Sequence, residues 1–175
     1  MPISKEQLEN YNYNNIFIET GTGGGLGTLE AVKAGFKIIH TIEANSKKYK
    51  LAGSRLSKYD FITMHSGDSG ILLKGILKNI NEPVTFWLDS HISSGKSFSK
   101  MKTNPCPLLE ELDAINNHHI KNHTILIDDI RGFRKGIPIW NSITLNQILN
   151  KISPDYNIYY IDGFTENDIL VAEVE

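Results

Sequence analysis

"ETGTGGGLGT", residues 19–28, sets five glycines into seven positions directly behind the apolar run "IFI" at 16–18. Glycine loses more conformational freedom on folding than any other residue, so such density is costly unless some group approaches the backbone closely. The stretch follows a strand-like run and leads into a helical pattern over 28–34, which makes it the loop of a strand–loop–helix unit. A phosphate loop of the form G-x-x-x-x-G-K-[ST] is excluded, because no lysine follows the glycines. A dinucleotide fingerprint, G-x-G-x-x-G, is broken in both registers: its third place falls on Leu26 or on Thr28. Two readings remain, a merely flexible turn and a ligand loop of the form E-x-G-x-G-x-G across Glu19, Gly21, Gly23 and Gly25. A loop that opens a helix offers unpaired N–H groups and the positive end of the helix dipole, which suits a carboxylate or phosphate.

Outward from this loop, short β-type runs alternate with helical patterns along the whole chain. The strand runs cover 15–20, 36–44, 61–66, 84–90, 124–129, 157–162 and 168–174, and the helical patterns 28–34, 46–56, 69–80, 107–117 and 141–152. Ser4 with Gln7 forms a capping-box pattern for a short helix at the start. Strands that are apolar at nearly every position belong in a parallel sheet covered by helices on both faces. The last two runs are separated only by "GFTEN", too short for a helical crossover, so they pair as an antiparallel hairpin. The expected fold is α/β: a Rossmann-like three-layer sandwich in one domain over 1–175, its seven-stranded sheet mostly parallel and closed by that hairpin.

Composition narrows the function classes. A formal charge of −2 without a basic run gives no footprint for a phosphate backbone, so no nucleic-acid partner is expected. No apolar stretch approaches the ~20 residues of a membrane span, and the first 15 residues are too polar for a secretory signal. The single cysteine, Cys106, excludes a disulfide framework and fits a reducing cytoplasm, the expected localisation.

The acids at strand ends carry the chemistry. "TIEAN" places Glu43 at the carboxyl edge of the second strand, where a carboxylate accepts the hydroxyls of a ribose. "HSGDSG" offers Asp68 either to an adenine amino group or as the cap of the next helix. "FWLDSH" and "ILIDDIRGF" end neighbouring strands, so Asp89 emerges beside Asp128 or Asp129. Carboxylates this close raise each other's pKa unless a cation lies between them, and an all-oxygen set favours Mg²⁺; the alternative is that they cap the elements that follow. His91 is a candidate general base or further ligand, Arg131 a neutralising or anion-clamping group. Glu110 is expected to face water; Glu111 flanks the apolar stripe of its helix and is expected to be solvated, the alternative being that it looks toward the cleft. Lys96, Lys100 and Lys102 make the long loop behind Asp89 locally basic, which suits an anionic acceptor or a solvated face. The remaining histidines, His40, His65, His118, His119 and His123, show no ligand-like spacing.

Taken together, "FIETGTGGGLGTLEA", "FWLDSHISSG", "CPLLEELDAI" and "HTILIDDIRGF" resemble class I methyltransferases that use S-adenosylmethionine (SAM), with acids placed as in metal-assisted O-methyltransferases. The resemblance implies SAM at Glu19, Gly21, Thr22, Gly23, Gly25, Glu43, Asp68 and Ser69, a Mg²⁺ site at Asp89, Asp128 and Asp129, and catalytic roles for Asp89 and His91. It implies methyl transfer to an oxygen or nitrogen of a small, anionic or sugar-like acceptor. The alternatives are a non-catalytic SAM- or nucleotide-binding module and an NAD(P)-dependent oxidoreductase. Relatives of this kind have a longer N-terminal cap than the roughly 14 residues before the first strand, which leaves the cleft open or completed by a second subunit in a homodimer.

Overall fold

The computed structural model describes residues 3–92 and 104–174, so Lys96, Lys100 and Lys102 lie outside the described residues. Its frame is a seven-stranded sheet in the order β3-β2-β1-β4-β5-β7-β6. The strands are β1 (Ile16–Thr20), β2 (Ile38–Glu43), β3 (Ile62–Ser66), β4 (Val84–Leu88), β5 (Thr124–Ile127), β6 (Asn157–Ile161) and β7 (Ile169–Glu173). The first five are parallel; β7 runs antiparallel to both β5 and β6, which makes the last two strands the expected hairpin.

Every residue of β1, β4 and β5 is buried, as strands covered on both faces must be. Their side chains alternate between two cores. Ile16, Ile18, Phe86 and Ile125 pack with α4 (Ser69–Leu77), α5 (Leu108–Asn116) and α7 (Leu145–Lys151) through Leu73, Leu112 and Ile148. Phe17, Ile39, Trp87 and Leu126 pack with α1 (Lys5–Glu9) and α2 (Leu26–Ala34) through Leu8 and Ala31. The third helix of this half, α3 (Ser46–Leu56), buries Ala52 and Leu56.

The helix starts follow local chemistry. Ser4 Oγ accepts from the Gln7 amide and Gln7 Oε1 from the Ser4 amide, the expected capping box. At α7 the pattern over 141–152 begins late, because Asn141 and Ser142 take left-handed backbone and the capping box is made by Thr144 with Gln147. One helix has no counterpart in the sequence reading: α6 (Ile130–Lys135) follows β5 directly, a single short turn-and-a-half that periodicity does not register. None of the described helices is long and apolar enough to cross a membrane.

Candidate functional site

The chain winds outward from β1 to β2 and β3, then returns to β4 on the other side of β1 and winds the opposite way, with α2 and α5 in opposite layers. The crevice between the carboxyl ends of β1 and β4 is therefore the switch point where ligands bind in such sheets.

The glycine loop closes one wall of that crevice. The amides of Gly21 and Thr22 both donate to the Ile42 carbonyl, at 2.9 and 3.1 Å. Gly21 has φ +85°, and a Cβ there would stand 2.2 Å from the Asp89 carbonyl oxygen, so only glycine lets β1 leave the sheet past β4. Gly27 meets the Glu19 carboxylate instead, at 2.3 Å from where its Cβ would lie. The groups that approach this backbone are largely the protein's own. Gly23 differs: its Cβ position has nothing nearer than a backbone oxygen at 3.9 Å, leaving open space on the crevice side.

Glu19 points inward. Only 2% exposed, it accepts from the hydroxyls of Thr28 (2.5 Å) and Thr41 (2.6 Å), and Thr41 in turn contacts the Thr22 hydroxyl at 2.5 Å. Burial pushes its carboxyl up to about 7 against those hydroxyls, with Glu43 adding to the rise. Glu43 lies where the sequence places it, at the end of β2 beside the loop. Its Oε2 accepts from the Gly23 amide at 2.8 Å and its Oε1 from the Asn45 amide at 2.7 Å. Each oxygen retains a lone pair. Among the described residues no Lys or Arg forms an ion pair with Glu19 or Glu43, and none supplies an acceptor to the amides of Gly24, Leu26 and Gly27.

Asp68 is the N-cap of α4: one oxygen accepts from the Gly70 amide at 3.0 Å, the other from the Asn104 amide at 3.1 Å. Of its two readings, the cap is the one formed. Ser69 likewise turns inward, donating to Glu111. Gly25 is the left-handed N-cap of α2.

The second cluster assembles differently from the expected trio. β5 ends at Ile127, and Asp129 takes left-handed backbone (φ 58°), which swings its side chain toward the end of β4. Ligand atoms of Asp89, His91 and Asp129 come within 4.8 Å of one another, whereas Asp128 groups with Asp129 and Asp168. Asp89, Asp128 and Asp129 therefore do not form one ligand set among the described residues. Their charge is met internally: His91 Nε2 lies 2.6 Å from one Asp129 oxygen and Arg131 Nη2 2.5 Å from the other, and Arg131 also pairs with the fully buried Asp168. As arranged, His91, Asp129, Arg131 and Asp168 form a chain of ion pairs.

Burial would lower the His91 pKa, yet the hydrogen bond to Asp129 and the charges of Asp89, Asp129 and Asp128 raise it. The ring lies against Trp140, centroids 4.1 Å apart. Burial pushes the Asp89 carboxyl up to about 8, with Asp128 and Asp129 adding and His91 opposing. About a third of that side chain, 31%, is open to water. Asp128 is raised to about 6, first by burial and then by Asp129. Of the two expected catalytic residues, His91 has Nε2 taken by Asp129 and a side chain only 6% exposed, whereas Asp89 is the one open to the crevice.

Sequence reasoning missed Trp140 and Asp168, which are distant in the chain from His91 and Arg131, the residues they contact, and misplaced Glu111, which is 0% exposed rather than solvated. Glu110 is exposed as expected. A hollow of about 600 Å³ beside Lys121, Asn150 and Tyr156 lies at the opposite end of the sheet, and none of the expected site residues lines it.

No family model and no curated protein matches the chain. Solved structures do. An O-methyltransferase from Bacillus cereus in complex with SAH aligns over 98% of this chain and 78% of its own, with TM-score 0.65 and 13% identity. The O-methyltransferase TomG from Streptomyces achromogenes, in complex with SAM, aligns over 97% and 78%, with TM-score 0.63 and 14% identity. A candidate rRNA-methylase from Clostridium thermocellum aligns over 99% and 98%, with TM-score 0.63 and 16% identity. At such identities the likeness is one of fold, and it extends over nearly the whole length of this chain.

Proposed function

We propose that the chain is a SAM-dependent methyltransferase acting on an oxygen or nitrogen of a small acceptor. The observation that carries this reading is the junction of Gly23 with Glu43 at the switch point. A nearly buried carboxylate with two spare lone pairs sits beside donor amides, with no basic side chain among the described residues paired to it. Uncompensated acids disfavour a pyrophosphate and favour a cationic sulfonium, which weighs against a dinucleotide. Neighbours of the same fold solved with SAM and SAH lend the reading support.

SAM supplies an activated methyl group on a positively charged sulfur. Glu43 would accept from the ribose hydroxyls, and the amides of Gly24, Leu26 and Gly27 would be available to the carboxylate of the methionine tail. Glu19 acts from beneath, shaping the loop through Thr28 and Thr41. Asp89 takes the acceptor proton, while His91 and Arg131 hold Asp129 and keep the acids apart. No step is assigned to a metal. Alignment of nucleophile and methyl within about 3–3.5 Å is the main demand on the protein, since the sulfonium carries its own driving force.

Calorimetric titration with SAM and SAH tests the site: the parent binds both, and Glu43→Ala binds neither measurably. Equal affinity in the two proteins overturns the assignment. Accumulation of SAH with a panel of hydroxyl- and amine-bearing acceptors separates a transferase from a binding module.

A further inference from the structure

Glu111 of α5 is fully buried, yet among the described residues no basic side chain neutralises it. Its Oε1 accepts from Ser69 Oγ at 2.5 Å and from Ser90 Oγ at 2.7 Å. Ser69 opens α4 directly behind Asp68, and Ser90 directly follows Asp89. One carboxylate thus fastens the loops that leave β3 and β4, the two edges of the crevice facing the glycine loop. Its Oε2 makes no hydrogen bond of ordinary geometry, nor does Oγ1 of Thr20, the last residue of β1, although the Thr20 hydroxyl is near enough to favour the charged form of Glu111. Among the described residues these are the only buried side-chain polar atoms left without such a bond.

Burying a carboxylate with incomplete hydrogen bonding costs several kcal/mol. An apolar residue at 111 would instead continue the stripe of Leu108, Leu112 and Ile115 that packs into the core. Stability alone therefore does not account for the acid. What it does uniquely is hold two hydroxyls, from two different loops, on a single oxygen.

We propose that Glu111 is a positioning residue of the crevice: acting through Ser69 and Ser90, it fixes the loops carrying Asp68 and Asp89 against the end of β1. The link to ligand affinity rests on the SAM reading above; the effect on the loops does not. Two amides report those loops, Gly67 N–H on the Glu43 carbonyl (3.0 Å) and Asp89 N–H on the Thr20 carbonyl (3.1 Å).

Three variants are compared with the parent: Glu111→Leu, Glu111→Gln, and the pair Ser69→Ala with Ser90→Ala. In Glu111→Leu and the serine pair, hydrogen exchange at Gly67 and Asp89 accelerates about tenfold while exchange in β5 is unchanged, and SAH affinity falls about tenfold, the scale of one lost hydrogen bond. Glu111→Gln, which keeps an acceptor oxygen, stays within about threefold of the parent. Parent-like exchange and affinity in both Glu111→Leu and the serine pair overturns the proposal, as does acceleration spread evenly over the core. If Glu111→Leu does not fold, the serine pair decides. If the parent itself binds no SAH, the SAM reading fails and local exchange alone judges Glu111.

Discussion

The two ends of the sheet bury titratable groups in opposite ways. At the amino end the Val84 amide donates to His123 Nδ1 at 3.1 Å, so that nitrogen is bare and Nε2 carries the proton. His123 Nε2 then donates to His118 Nδ1 at 3.0 Å, and His118 Nε2 to the Ile80 carbonyl at 3.0 Å. Every ring nitrogen is used, both tautomers are fixed and both rings are neutral. Among the described residues, Glu19, Glu43 and Glu111 at the carboxyl end are buried without basic partners, and the only two orphaned buried side-chain atoms lie there. Polar groups that only hold a fold together can be satisfied completely. Those at a site are left with unused capacity.

The sharpest way to break this contrast is at Asp89. Asp89→Asn is expected to lower turnover by about 10²–10⁴-fold, the usual worth of a general base, with SAM affinity unchanged; an undiminished rate with a productive acceptor removes the base assignment. Next comes a pair of loop glycines. Gly21→Ala forces a methyl into the Asp89 backbone and is expected to cost about 3 kcal/mol of stability. Gly23→Ala costs only about 1 kcal/mol of left-handed strain but puts its methyl into the crevice, weakening SAM. Chemical denaturation beside calorimetry separates the two, and equal stability losses would erase the distinction.

The amino end is tested by pH. Burial, helped by His118, lowers His123 from 6.5 to about 4, so its neutral form is favoured when folded. The contribution is complete above the unfolded value of about 6.5 and is lost as pH falls toward about 4, amounting to about 3 kcal/mol. His118 is also lowered, chiefly by burial, with His119 and Lys121 adding, so the two titrate together. His123→Phe should flatten the stability profile between those values, and an unchanged slope contradicts the fixed relay. The smallest effect expected is that of Mg²⁺. About 1 mM leaves the melting temperature of the ligand-free protein within about 1 °C, because Arg131 and His91 already occupy Asp129; a clear rise restores a metal to the site.

Most of the fold was legible because its signals are local. Unbroken apolar runs name parallel strands, and "GFTEN" is too short for anything but a hairpin. Glu43 was readable from its place at a strand end. Glu111 was readable too, since 108, 111, 112 and 115 follow the i, i+3, i+4, i+7 spacing of a buried face, and only its charge argued for water. Other features were beyond reach. The left-handed turn at Asp129, which parts it from Asp128, has no marker in "IDDIR", and the pairing of Arg131 with Asp168 spans 37 positions.

The close approach of Gly27 to Glu19 couples two places in the chain that a reader would treat as independent. With an oxygen of Glu19 only 2.3 Å from where a methyl at 27 would stand, position 27 cannot grow while Glu19 keeps its place. Alanine at 27 becomes tolerable only where position 19 shortens to aspartate. Divergent copies of this loop should drift in step at those two positions, a paired substitution rule written by steric exclusion.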